Sequence, residues 1–275
     1  MTVVARNIGR LGNNMFQIAA AIGMARKFGH SWGVDPSSGT GEPYSVIHQV
    51  FPSLPKITSM GGVRYHEHPD NRFCPIHNTT LDVCHFNYHP IPDLGPDVVL
   101  SGFYQSYKYF ENSAEEIKKV FALPHWVEYE DYVSIHIRLG DYLQYSGSFP
   151  PITLAYIDRA IKKIHHETGL AKFIVFSDDI PRAKEIVKES IWKDFQWEFS
   201  LGRTERQDLE IGASCAHHVI ANSTYSWWMA YLGHNPNRIV VSPSVEPGNW
   251  FGLDNGNKIP LIDLLPPEFI QIKFR

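Results

Sequence analysis

The stretch VSIHIRLGDYL, residues 133–143, decides how this chain is read. Val133, Ile135 and Ile137 make an apolar strand that stops at a polar turn carrying Arg138, Gly140 and Asp141. An apolar run that ends abruptly in polar residues is the carboxyl end of a buried strand. The same pattern recurs downstream. ITLAYIDRAIKKIHHET (152–168) has helical spacing, and KFIVFSDD (172–179) is a second apolar strand with an acidic tip. IPRAKEIVKES (180–190) reads as a helix with proline near its first turn. RTERQDLEIGASCA (203–216), HHVIAN (217–222), TYSWWMAYLG (224–233) and RIVVSP (238–243) then read as helix, strand, helix, strand. Strands alternating with helices predict a parallel sheet covered on both faces.

Working toward the N-terminus, TVVARNI (2–8) predicts a strand, GRLGNN (9–14) a turn and NMFQIAAAIGMARKFG (14–29) a helix closed by Gly29. Residues 31–96 give no clean periodicity. DVVLSGFYQS (97–106) holds a strand near Val98–Leu100, and ENSAEEIKKVFAL (111–123) a helix capped by Asn112 or Ser113. The pattern predicts an α/β fold in two domains, 1–125 and 126–275.

Composition limits the function. With 275 residues and 43% hydrophobic content the chain can bury a sizeable core. A net charge of −4 argues against blanket neutralisation of a nucleic acid. No run of about 18 apolar residues predicts a membrane span, and the N-terminus lacks the pattern of a secretory leader. Three cysteines make no disulfide framework, so a cytoplasmic location is expected, with peripheral attachment to an inner membrane still compatible. The aromatic clusters GFYQSYKYF, IWKDFQWEF and STYSWWMAYLG suit a sugar binder or an ordinary core equally.

Ligands of open parallel sheets bind at the carboxyl ends of the strands. Three polar clusters sit at such ends. In ANSTYS, residues Asn222, Ser223, Thr224 and Ser226 stand where a helix begins, offering free N–H groups to a phosphate or simply capping the helix. Arg138 presents a planar fork suited to phosphate, or pairs structurally with Asp141. His136 shares its strand face. In FSDD, Asp178 and Asp179 suit a metal, a ribose or base edge, or a helix cap. A fourth cluster, His66, His68, Cys74, His77, Cys84, His85 and His89, offers metal-ligating types at a spacing that matches no standard zinc module.

Together, GRLGNNMFQIAAAIGMARKFG, GFYQSYKYF, SIHIRLGDY, FIVFSDDI and HHVIANSTYSWWMAYLG resemble the bacterial-type α-1,2-fucosyltransferase family, inverting enzymes that use GDP-fucose. The resemblance implies a GT-B-like architecture of two Rossmann-like domains facing a cleft. The first domain would be on the acceptor side and the second would bind GDP-fucose. It implies transfer of L-fucose from GDP-β-L-fucose, without metal or cofactor, to a galactose 2-hydroxyl of an oligosaccharide or glycolipid. Arg138 matches the arginine on the donor pyrophosphate, and His136 the histidine beside it. Asp208 matches the guanine-contacting acid, and Ser223, Thr224 and Tyr225 the phosphate-binding turn. Asn222 and Asp178 join this donor set, and Asn13 matches a cleft asparagine grouped with Arg138 in catalysis. Tyr104 and Gln105 are the candidate acceptor contacts. The chain departs from the family at Leu139, where a second arginine is usual, and at Asn14, where glutamine is usual. A general base is not legible; Asp141 is a candidate and equally a brace for Arg138. Two alternatives stay open: a transferase of the same fold with another linkage or nucleotide sugar, and a catalytically dead glycan-binding module.

Overall fold

Burial on both faces makes a strand read as a continuous apolar run, and residues 133–137 form such a strand, every residue buried. The computed structural model describes residues 1–36, 46–58, 62–67, 87–95, 97–252 and 261–274. The chain divides into two compact units, Met1–Ala122 with Lys258–Pro266, and Leu123–Asn257 with Pro267–Arg275. The return of a C-terminal segment to the first unit was not expected from the sequence. It is held there by an ion pair of Lys108 with Asp263 at 2.6 Å and by Asn87 Oδ1, which accepts the Ile262 N–H at 2.9 Å.

The first unit runs β1 (Thr2–Ala5), α1 (Leu11–Phe28), β2 (Ser31–Val34), α2 (Ile47–Val50), β3 (Val63–His66), β4 (Val98–Ser101) and α3 (Ala114–Val120). Its sheet has the order β2-β1-β4-β3, all parallel. α1 is buried almost all round, with Met15, Phe16, Ile18 and Ile22 fully covered. It ends where Gly29 takes a left-handed φ of 69°. Ser113 takes the N-cap position of α3, but its hydroxyl makes no capping bond.

The second unit runs β5 (Val133–Ile137), α4 (Gly140–Gln144), α5 (Leu154–Thr168), β6 (Lys172–Ser177), α6 (Ile180–Lys188), β7 (Gln196–Phe199), α7 (Glu205–Ser214), β8 (His217–Val219), α8 (Thr224–Tyr231), β9 (Val240–Pro243) and β10 (Ile270–Ile272). The order is β10-β9-β8-β5-β6-β7, again all parallel. α5 starts on Thr153, whose Oγ1 accepts the Tyr156 N–H at 3.2 Å, and lays Ile157, Ile161 and Ile164 on the sheet. α7 starts with a capping box between Thr204 and Gln207. Both units are α/β with all-parallel sheets, the layout expected of Rossmann-like domains.

Trp227 and Trp228, in the STYSWWMAYLG cluster, are fully buried core residues. Among the described residues no helix is long and apolar enough to cross a membrane.

Candidate active site

In the second unit the chain leaves β5 toward β6 and β7, then returns to the other side of β5 as β8 and goes on to β9 and β10. The strand order therefore reverses between β5 and β8, which is where a parallel α/β sheet opens a crevice for ligands. Arg138 leaves the end of β5 and Ser223 opens α8 just after β8, so the two strongest sequence candidates flank the switch point.

Arg138 is held from three sides. Its Nη2 donates to Asp141 Oδ1 at 2.6 Å, its Nη1 pairs with Asp178 Oδ2 at 3.0 Å, and its guanidinium lies 5.4 Å from the Tyr142 ring centroid. Asp178 Oδ1 also accepts the Leu139 N–H at 2.9 Å, so one carboxylate fixes both the turn and the arginine. The expected ion pair with Asp141 is thus present, and a second acid joins it. A fork anchored at two corners keeps its orientation and still has N–H donors to spare. Gly140 is required for this: a Cβ there would stand 2.3 Å from Asp178 Oδ2. Of the FSDD acids, Asp178 makes this clamp, while Asp179 caps α6 by accepting the Arg182 N–H at 3.1 Å. Leu139 is buried in the hydrophobic core with Ile137 and Ile152. The family departure therefore falls on a core-facing position and leaves the Arg138 fork intact.

His136 is buried, and burial together with the Arg138 charge pushes its pKa down to about 3, so the ring is neutral. Its Nδ1 has no hydrogen-bond partner among the described residues. The ring lies 5.9 Å from that of Tyr225. Ser223 takes the N-cap position of α8 in an extended conformation without a capping side-chain bond. The cap reading of this serine is therefore not what the structure shows, and the dipole end of α8 keeps its anion-binding character. Two candidates have side-chain donors committed elsewhere. The Tyr225 hydroxyl donates to the Glu205 carbonyl at 2.6 Å. The Asn222 amide nitrogen donates to the Pro150 and Trp250 carbonyls at 3.0 and 2.9 Å, bracing two loops, while its Oδ1 has no hydrogen-bond partner among the described residues.

Asp208 projects from the first turns of α7, whose position the Thr204–Gln207 box fixes. The Ser200 hydroxyl donates to Asp208 Oδ1. Burial raises the pKa of Asp208, while the Ser200 hydrogen bond and the Arg203 charge oppose that rise.

In the first unit the strand order also reverses, between β1 and β4. The first turn of α1, just after β1, carries Asn13, the turn after β4 carries Gln105, and Gln105 Nε2 donates to Asn13 Oδ1 at 2.9 Å. Asn14, at the position of the family glutamine, donates to the carbonyls of Ile8 and Gly9 at 3.0 and 3.2 Å and so shapes the glycine turn. Tyr104 does not fit its expected role as an acceptor contact. Its side chain is fully buried, its hydroxyl donates to the Tyr65 carbonyl at 3.3 Å, and its backbone adopts φ 49°. The residue that sequence reading missed here is Glu67. Its Oε2 accepts the N–H groups of Phe103 and Tyr104 at 2.7 and 2.8 Å and so holds the turn that presents Gln105. Of the His/Cys cluster, His68, Cys74, His77, Cys84 and His85 lie outside the described residues.

Comparison with known families places this geometry. The model for glycosyl transferase family 11 matches residues 99–249, more than half of the chain and all of the β5–α8 switch point. The chain belongs to glycosyl transferase family 11. Within curated relatives it is 28% identical to an α-1,2-colitosyltransferase of Escherichia coli, over 62% of this chain and 61% of that one. It is 27% identical to the O-antigen biosynthesis glycosyltransferase WbnK of E. coli, over 80% of this chain and 71% of that one. It is 25% identical to the mouse galactoside 2-α-L-fucosyltransferase Sec1, over 82% of this chain and 62% of that one. The match thus spans about two thirds of the length of these relatives.

Proposed function

We propose that this family 11 chain is an inverting glycosyltransferase that moves L-fucose from GDP-β-L-fucose to the 2-hydroxyl of a galactose in an oligosaccharide or glycolipid acceptor. The observation that carries this reading is the pre-anchored Arg138 fork beside the uncapped N-terminus of α8 at the β5/β8 switch point. Two fixed sources of positive potential at one sheet edge suit a diphosphate.

The mechanism follows from where charge develops. As the fucosyl–phosphate bond breaks, negative charge builds on the β-phosphate oxygen. Arg138 and the first N–H groups of α8 meet that charge without reorganising, because Asp178, Asp141 and the helix hold them in place beforehand. The sugar carbon becomes cationic as the fucosyl–phosphate bond breaks and GDP departs, and the acceptor hydroxyl attacks the opposite face, forming the new C–O bond with inversion and giving up its proton to solvent. Neutral His136 offers its open Nδ1 edge to the nucleotide or its phosphate, and Asp208 accepts N–H groups of guanine. The Asn13–Gln105 pair on the first unit is assigned to the acceptor. No metal ion or cofactor is required in this scheme.

Incubation with GDP-fucose and a galactose-terminated oligosaccharide in the presence of EDTA tests it. GDP release together with an α-1,2-linked product is expected, and no transfer to any galactoside would overturn it. The resemblance to a colitosyltransferase favours one specific second reading, α-1,2 transfer of colitose. GDP-colitose as competing donor in the same assay separates the two.

A further inference from the structure

One charged group next to the proposed base site has no part in the mechanism above. Arg203 lies in the turn between β7 and α7. Its Nη1 donates to Ser200 Oγ at 3.2 Å, and that hydroxyl in turn donates to Asp208. Its Nη2 donates to the Tyr129 hydroxyl at 2.9 Å, and the guanidinium lies 5.9 Å from the Tyr129 ring centroid. The arginine is therefore fixed at one end by a tyrosine and reaches the acid at the other through a single buried serine.

We propose that Arg203 is a positioning residue for the nucleotide base: through Ser200 it holds the Asp208 carboxylate in the orientation that accepts the N1–H and 2-amino N–H groups of guanine. This rests on the reading that Asp208 takes the guanine. The physical need is plain. A partly buried carboxylate gains a proton as it loses water, and a protonated acid accepts one N–H poorly and competes with the other. Glu205, one turn earlier, adds a like charge in the same unfavourable direction, and the Tyr225 phenol packs nearby without charge. Arg203 is the cation that opposes burial and Glu205 at Asp208. Ser200 converts that charge into an orientation, since its hydroxyl takes one lone pair of Oδ1 and leaves the second Oδ1 lone pair and Oδ2 for the two guanine N–H groups.

The test is GDP affinity as a function of pH, by titration calorimetry on the full chain, with IDP, which lacks the 2-amino group, as the second probe. For the wild type, affinity should be flat from pH 6 to 8 and favour GDP over IDP. In Arg203→Gln, GDP should bind about tenfold more weakly at pH 6 and recover toward pH 8, with most of the GDP-over-IDP preference lost at the lower pH. Arg203→Lys should restore part of both. Ser200→Ala, which removes the relay while keeping the cation, should lose base preference with a smaller pH shift, and it serves where Arg203→Gln does not fold. A wild-type pH profile in both Arg203→Gln and Ser200→Ala overturns the inference. Asp208→Asn separates this from the reading beneath it. If Asp208→Asn leaves GDP affinity and base preference untouched, the guanine assignment itself is wrong.

Discussion

The two units use the same device for different ends. In each, a carboxylate one residue beyond a parallel strand accepts backbone N–H groups from the turn leaving the neighbouring strand. In the first unit Glu67, after β3, takes the N–H groups of Phe103 and Tyr104 after β4. In the second, Asp178, after β6, takes the Leu139 N–H after β5. Each clamp needs a glycine beside it: a Cβ on Gly102 would stand 2.4 Å from Glu67 Cβ, and one on Gly140 2.3 Å from Asp178 Oδ2. The surroundings differ. Glu67 is buried, and desolvation pushes its pKa up to about 8 despite the two N–H bonds. The Asp178 side chain is 25% exposed and pairs with Arg138. The clamp that only shapes a turn sits in the interior and favours its protonated form, whereas the clamp that aims a cation sits beside water and pairs with that cation.

This comparison breaks or sharpens under four tests. Arg138→Ala removes the charge that the second clamp exists to aim, and turnover should fall about 10²–10³-fold, roughly 3–4 kcal/mol of barrier, with folding retained. Steady-state kinetics beside a thermal melt checks it, and a loss under fivefold would remove Arg138 from the mechanism. Leu139→Ala opens a cavity in the core next to the clamp. It should cost about 2–5 kcal/mol of stability by urea denaturation while GDP affinity at fixed folded protein stays within about threefold. A loss of affinity without loss of stability would give Leu139 a direct ligand role.

The glycine pair gives the sharpest contrast. Gly102→Ala presses on Glu67 Cβ in the interior and should cost about 1–3 kcal/mol of stability. Gly140→Ala presses on the far end of a partly exposed side chain. It should cost little stability, but misplace Arg138 and lower turnover about 10- to 100-fold. Equal stability losses at both positions would erase the distinction.

The smallest effect is in pH. An ordinary glutamate carboxyl ionises near 4.5, but folded Glu67 keeps its proton to about 8. Between those values the folded state binds the extra proton, so its contribution is full at the acid end and is lost as pH rises toward 8. Glu67→Gln should flatten that part of the stability–pH curve measured by thermal melts. An unchanged slope would mean that Glu67 is ionised in the fold.

How much of this was legible in the sequence follows from burial. β5, β6 and β8 lie inside the sheet and read as apolar runs. β2, β3, β7 and β10 are at sheet edges, short and partly solvated; VRYH and QWEF carry no apolar run, and sequence reading passed over them. Arg138, His136 and the start of α8 stood out because strand ends and helix starts mark themselves in residue type, whereas Asp208 was marked only by the family resemblance. The clamps did not. Asp178 and Leu139 are 39 residues apart and Glu67 and Tyr104 37 apart, so only the strand order brings them together. Tyr104, readable in the sequence as either an acceptor contact or core, is core in the fold.

The central claim is that Arg138, aimed by Asp178, forms a diphosphate seat for a guanine nucleotide on the second unit. Thermal melts of the wild type and Arg138→Ala with saturating GDP, ADP or UDP test it most directly. The account predicts that GDP raises the melting temperature of the wild type, that ADP and UDP do so much less, and that Arg138→Ala loses the GDP effect. Equal stabilisation of both proteins by GDP, or none of the wild type, would contradict it.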